Sequence, residues 1–409
     1  MNTPISSRTS TCTLTLTANG QPLANQPVTV AQTRHAFLFG SNWGSSIALV
    51  NGLLSGEAKE KAERREELFQ ALFNYAILPF YWGRFEPTRG QPHTAITRKT
   101  AEYYKERGFQ LKGHPLCWHT VCADWLLPLS NEEILATQLA RIRRETGDFK
   151  GLVDIWDVVN EAVIMPVFDK YDNGVTRICQ MVGQVELIRQ TFEAARQTDP
   201  GAVLVLNDFE TSEAYAELIE RCLDAGIKID AIGIQSHMHQ GWWGLEKTHA
   251  VLARFERFGL PLQFTEITLV SGEVMPPHIV DLNDFQVSEW PSTPEGEERQ
   301  ANEAAAFYKA LFAHPLMTSI TWWDFTDGGW LHAPAGLIRA DATPKPAYEA
   351  LLQLVKGEWW LPPTEMVTDA TGKIQFTGCL GDYELTCQGE RRAFALEKPG
   401  EINFAIHIP

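Results

Sequence analysis

The sequence predicts an α/β fold: a closed (β/α)8 TIM barrel carrying a small β appendage. Three observations lead there. Eight short apolar runs alternate with eight stretches of helical period between residues 35 and 356, and such alternation requires parallel strands joined by crossover helices. Eight of each is the count of a closed barrel. Outside that span the chain alternates threonine with apolar residues and shows no helical period. A doubly wound open sheet has a similar rhythm, but no G-x-G-x-x-G follows the first strand.

The N-terminal segment, 1–34, contains TCTLTLTANGQPLANQPVTV, which reads as a β-hairpin turning at Asn19-Gly20. The barrel, 35–356, opens with the strand Ala36–Gly40 and the helix Glu57–Phe73. Tyr75–Phe80 is followed by Arg98–Arg107, and Gln110–His114 by Glu132–Glu145, which Ser130-Asn131 introduces as a cap. Val153–Asn160 leads to the helix Gly183–Gln197, and Val203–Asn207 to Ser212–Ala225, closed by Gly226. Ala231–Gln235 precedes Leu245–Phe258, Leu262–Glu266 precedes Glu297–Ala313, and Ser319–Trp323 precedes Lys345–Val355. The C-terminal segment, 357–409, again reads as strands, with turns at Ala370-Thr371-Gly372 and Gly381-Asp382. Neither end is long enough for a comfortable core of its own, so the two are expected to pack together.

The 409 residues are 44% hydrophobic and 21% charged, an ordinary globular composition. Thirty-five basic against fifty-one acidic residues leave a net charge of −16, which argues against nucleic acid or an anionic membrane as partner. No run reaches a membrane span and the N-terminus lacks a signal-peptide apolar region, so a cytoplasmic protein is expected, or a secreted one if a leader has been removed. Seven scattered cysteines fit reduced thiols. Thirteen Trp, many beside polar residues at segment ends, suit the walls of a binding cleft.

Functional groups of such a barrel gather at the C-terminal ends of its strands. Those ends hold His114 and Trp118, Asn160-Glu161, Asn207-Asp208, Gln235 and His237, Glu266, then Trp323 and Asp327. Carboxylates, amides, imidazoles and flat indoles are the tools of sugar chemistry. Glu161 and Glu266 each end an apolar strand, where a carboxylate is costly unless it has partners or a cleft. Three strands apart, they can face each other across the mouth, and two carboxylates flanking a glycosidic bond are a device for hydrolysing it. The expected partner is therefore a carbohydrate, with no cofactor; the oligomeric state is left open. His237-Met238-His239 can place two imidazoles on one side of a strand, but nothing at another strand end completes a metal set, so no metal is expected.

In this order along the chain, KGHPLCWH (112–119), WDVVNEA (156–162), LVLNDFE (204–210), DAIGIQSHMH (230–239), LQFTEI (262–267), ITWWDFTDGGW (320–330) and GLIRADATPKPAYEAL (336–351) resemble glycoside hydrolase family ten, the retaining β-1,4-xylanases. The resemblance implies Glu161 as general acid/base and Glu266 as nucleophile. It implies Asn160, His114, Trp118, Gln235, His237 and Trp323 around the sugar being cleaved, with Trp330 as a neighbouring wall. Tyr81 and Trp82 are the expected stacking surfaces for the next sugar, on the non-reducing side. A glycosidase acting on a substituted or non-xylan β-glycoside, and a non-catalytic glycan-binding barrel, are the alternatives.

The chain also departs from that pattern. Where the family carries a Glu-Asn…Lys cluster before a Trp, this chain has Ile77, Leu78 and Tyr81; Val121 replaces a Gln. Thr268 stands where an Asp usually supports the active-site histidine, and Phe209 where a Tyr follows the Asp. The polar grip on a neighbouring xylose is expected to be weakened.

Overall fold

A computed structural model describes residues 5–42 and 46–409. The described chain begins with β1 (Thr9–Ala18), β2 (Gln21–Pro22) and β3 (Pro27–His35). Eight parallel strands then close a barrel: β4 (Leu38–Asn42), β5 (Tyr75–Pro79), β6 (Gln110–His114), β7 (Ile155–Asn160), β8 (Val203–Asp208), β9 (Ala231–Met238), β10 (Leu262–Leu269) and β11 (Met317–Trp322). The chain ends in β12 (Thr364–Val367), β13 (Lys373–Cys379), β14 (Gly381–Cys387), β15 (Glu390–Leu396) and β16 (Gly400–His407).

Alternate residues of the barrel strands divide between two cores. Leu78, Leu111, Trp156, Leu204 and Phe264 face the surrounding helices, while Tyr75, Ile77, Ile155, Val205 and Ala231 fill the interior with Trp323 above them. The interior also holds charge. Lys112 Nζ lies 2.5 Å from Asp157 Oδ1, both side chains almost wholly buried. Between strand and helix layers the fit is close: a Cβ on Gly113 would come within 2.1 Å of the Trp156 ring.

The helices follow the sequence signals where those are strong. Ser130 and Glu133 form a reciprocal capping box at the start of Asn131–Asp148, and Gly226, at φ +77°, ends the turn after Glu213–Asp224. Three helices escaped the periodicity. Ser46–Val50 and Trp82–Phe85 are too short to display a period. Gly174–Val182 is cut from Gln184–Thr198 by Gly183 at φ +89°, so the two do not read as one pattern. The first barrel strand also starts later than Ala36, which puts Asn42 at its C-terminal end. Among the described residues no helix is long and apolar enough to cross a membrane.

The terminal strands form two packed sheets, ordered β13-β1-β16, with β2 on β1, and β12-β3-β14-β15. The hairpin at Asn19-Gly20 is short, only two residue pairs joining β1 to β2. The main neighbours of β1 are antiparallel β13 and parallel β16. Cys12, Leu14 and Leu16 of β1 meet Val28 and Val30 of β3 and Phe376, Tyr383 and Leu385 in a core separate from the barrel. Arg8 anchors this unit by donating to the carbonyls of Phe312, His314 and Met317. Deleting residues 1–34 removes the strand between β13 and β16. Amide exchange over residues 373–407 should then accelerate by at least about tenfold; unchanged protection there would contradict this dependence.

Candidate active site

Backbone irregularities aim the two glutamates into the barrel mouth. Glu161 follows the last residue of β7 in a left-handed conformation, φ +56°, and its N–H donates to Asn207 O at 2.8 Å. A non-glycine residue there carries strain that surrounding contacts must offset. On β10 the pairing with β9 skips a residue between Phe264 and Glu266. This bulge lets Thr265 and Glu266, adjacent in sequence, both reach Asn207.

Asn207 links the two acids. Its Nδ2 donates to Glu266 Oε1 at 2.9 Å and to Asn160 Oδ1 at 2.7 Å, while its Oδ1 accepts from Thr265 Oγ1. Asn160 Nδ2 donates to Glu161 Oε1 at 3.2 Å, and Gln235 Nε2 to the same oxygen at 3.3 Å. Asn207 lies close against β9: a Cβ on Gly233 would fall 2.3 Å from its Oδ1. The second oxygen of Glu161 accepts from Trp118 Nε1 at 2.7 Å, and the second oxygen of Glu266 meets His237 Nε2 at 3.0 Å.

The two carboxyls differ in environment. Burial pushes Glu161 up to about 8; the Trp118 hydrogen bond opposes this, and the charges of Glu266 and Asp208 add to it. Asp208 is itself pushed up to about 7 by burial, against hydrogen bonds from the backbone N–H groups of Glu210 and Val163. Glu161 is thus placed to hold a proton near neutral pH. Glu266 receives hydrogen bonds from an amide and an imidazole, the surroundings of an ionised carboxylate.

Histidines and aromatic rings line the space above. His114 Nδ1 pairs with Asp157 Oδ2 at 2.8 Å, and its ring is edge-on to Tyr81 and Trp323. Burial pushes Asp157 up, but Lys112 and His114 outweigh it and hold the carboxyl below its ordinary value. Trp330 stands edge-on to His237, 4.7 Å between ring centroids.

The structure therefore brings together Glu161, Glu266, Asn160, His114, Trp118, Gln235, His237, Trp323, Trp330 and Tyr81. Trp82 is set apart from them. It is buried against Trp125 and Arg141, with Nε1 directed to Glu86, and supports the barrel wall instead of lining the mouth. Leu78 likewise faces the helices, so of the apolar replacements on β5 only Ile77 points inward. Where the family has an Asp, Thr268 places its Oγ1 2.8 Å from His237 Nδ1, so the ring keeps a hydrogen-bond partner, a neutral hydroxyl in place of a carboxylate. Asp327 belongs to a buried ion pair with Lys345 and braces a loop.

Sequence reasoning missed His119 and Asp324, and it named Asn207 and Asp208 without giving them a role. His119, beside Glu161 at 3.9 Å, is pushed down to about 4 by burial and stays neutral. Asn207 and Asp208 stood at a strand end, but their roles appear only once β7, β8 and β10 are adjacent. Asp324, at φ +62°, accepts from the Trp330 N–H and takes the Asn42 amide oxygen on its own N–H. Burial pushes its carboxyl up. Among the described residues no cluster of three His, Cys, Asp or Glu suits a metal ion.

Residues 49–354 match the model of glycosyl hydrolase family 10. The chain belongs to that family. It is 26% identical over 360 residues to endo-1,4-beta-xylanase C of Paenibacillus barcinonensis, covering 77% of this chain and 32% of that protein. It thus spans about a third of that relative's length. To endo-1,4-beta-xylanase B of Thermotoga neapolitana it is 26% identical over 292 residues, covering 67% of this chain and 78% of that one. Among solved structures, native xylanase 10B from Thermotoga maritima superposes with a TM-score of 0.63 at 24% identity, covering 79% and 96% of the two chains. Xylanase 10B from Thermotoga petrophila RKU-1, in complex with xylobiose, gives 0.64 at 23%, covering 79% and 95%. These structures share the barrel fold.

The raised Glu161 makes a stability prediction. Its folded value of about 8 exceeds the ordinary 4.5, so the folded state binds more protons between those values. Its unfavourable contribution therefore grows as pH rises from 4.5 to about 8 and is constant above. Glu161→Gln removes it. The Tm gain of the variant over wild type should be about 2 °C or more larger at pH 8 than at pH 5, and equal gains at both would refute the assignment.

Proposed function

We propose that this family 10 member is a retaining β-glycoside hydrolase of the endo-1,4-β-xylanase type, acting on xylan or related β-linked oligosaccharides. The observation carrying this reading is that two glutamates in contrasting environments, one proton-holding and one hydrogen-bonded as an anion, share a single amide relay.

In the first half-reaction Glu266 attacks the anomeric carbon. The bond to the leaving oxygen breaks, and Glu161 gives that oxygen its proton. In the second, Glu161 takes a proton from water, which attacks the same carbon and frees Glu266, so the anomeric configuration is retained. Asn160, held by Asn207 and Gln235, and Gln235 itself present amide groups to the sugar beside the acid. His237, between Thr268 and Glu266, orients the nucleophile. Tyr81, Trp118, Trp323 and Trp330 offer ring surfaces to the pyranose, and His114 an imidazole held by Asp157.

A product profile on β-1,4-xylohexaose tests this. Wild type should release shorter xylo-oligosaccharides, while Glu266→Ala releases none and Glu161→Ala is slowed by ~10²–10⁴-fold. Turnover at the wild-type rate by either variant would end the two-glutamate assignment. The acid must be protonated to act, so kcat/KM should decline as pH rises through about 8. A profile still rising beyond pH 9 would remove Glu161 from that role.

A further inference from the structure

The loops that follow the two glutamate strands meet. Residues 161–173 leave β7 and residues 270–293 leave β10, strands separated by β8 and β9 around the barrel. Lys170 of the first loop pairs with Asp281 and Asp284 of the second, at 2.6 and 2.8 Å. Asn283, between those acids, accepts from Trp330 Nε1 at 3.0 Å, and the Trp330 ring lies against His237, the partner of Glu266. The junction is therefore tied through Trp330 to the side chains that line the mouth. Tyr171, next to Lys170, lies within electrostatic reach of both Glu161 and Asp281.

The second loop is held from beneath as well. Gln240, just past β9, donates to the carbonyls of Pro276 and Ile279. Val270, Met275, Trp290, Ala333 and Ala335 form a small apolar core under it. The connections after β8 and β9, residues 209–212 and 239–243, are short, so the joined pair are the long loops of that sector.

We infer that these loops form a strap over the leaving-group side of the cleft and restrict the enzyme to short leaving groups. Within that endo-xylanase type of chemistry, cleavage then falls one or two sugars from a reducing end, where an open cleft would take a longer leaving group. The side follows from the ring of strands: Tyr81, the expected surface for the next sugar on the non-reducing side, follows β5, and the β8–β9 sector that the strap spans lies across the barrel from it. This inference rests on the glycosidase reading above and sharpens its substrate class. Each exposed ion pair is weak and screened by salt. A repulsive substitution, however, sets three like charges together where a cation bridged two.

The test uses xylohexaose labelled with heavy oxygen at its reducing end, analysed by mass spectrometry early in the reaction. Wild type should put most of the label on xylose and xylobiose. Lys170→Glu should raise the labelled share of xylotriose and longer products at least threefold, with Lys170→Ala between them. Label mainly on xylotriose or longer products in wild type, or one distribution in all three proteins, would overturn the strap. If wild type cleaves nothing, the glycosidase reading itself fails and the strap's role falls with it, a result distinct from cleavage with an unshifted label.

Discussion

Two carboxyl groups buried within reach of one another are an unstable arrangement unless something holds them apart in character. Here that is done by the side-chain amide of Asn207. Its N–H groups reach Glu266 directly and Glu161 through Asn160, while its oxygen is taken by the Thr265 hydroxyl. Orienting it this way needs the bulge on β10, a strand end on β8 and a glycine on β9 with no Cβ in the way. One side chain on β8 is thus bonded to β7 and β10 and packed against β9. The barrel's geometry and the contrast between the acids are parts of the same constraint.

A second buried charge system lies deeper. Asp157 holds Lys112 on one oxygen and His114 on the other, with scarcely any solvent. Such a pair is poor evidence for stability in itself, since a close-packed apolar pair can be as favourable; losing one partner alone costs ~3–5 kcal/mol. What it supplies is position. His114 at the strand end is fixed from below, and Tyr81, Trp118 and Trp323 pack around it. The aromatic wall of the mouth therefore rests on an ion pair in the barrel interior.

Much of this was legible in the sequence because buried parallel strands are continuous apolar runs, and a glutamate that ends one stands out. Eight runs and two such glutamates were enough to place the barrel and its chemistry. What could not be read is direction and company. Tyr81 and Trp82 are neighbours in sequence, yet one reaches the mouth and the other the wall, because a short helix starts between them. Thr268 looks like a missing carboxylate until its hydroxyl is seen against His237. Asn42 and Asp324 lie far apart in the chain and meet only when the barrel closes between β11 and β4. Residues 270–293 carry no period to read, since their order comes from contacts with other loops.

The position of β1 has a consequence for the order in which the protein takes shape. Its main neighbours are β13 and β16, both encoded after the entire barrel. During synthesis the apolar face of β1, Cys12, Leu14 and Leu16, leaves the ribosome with no sheet to join. Beyond its two-residue pairing with β2 it remains unpaired while hundreds of residues are added. Such long-range pairing is slow, and an unpaired strand is exposed to aggregation meanwhile. The threonines that alternate with those apolar residues keep its other face polar during that wait.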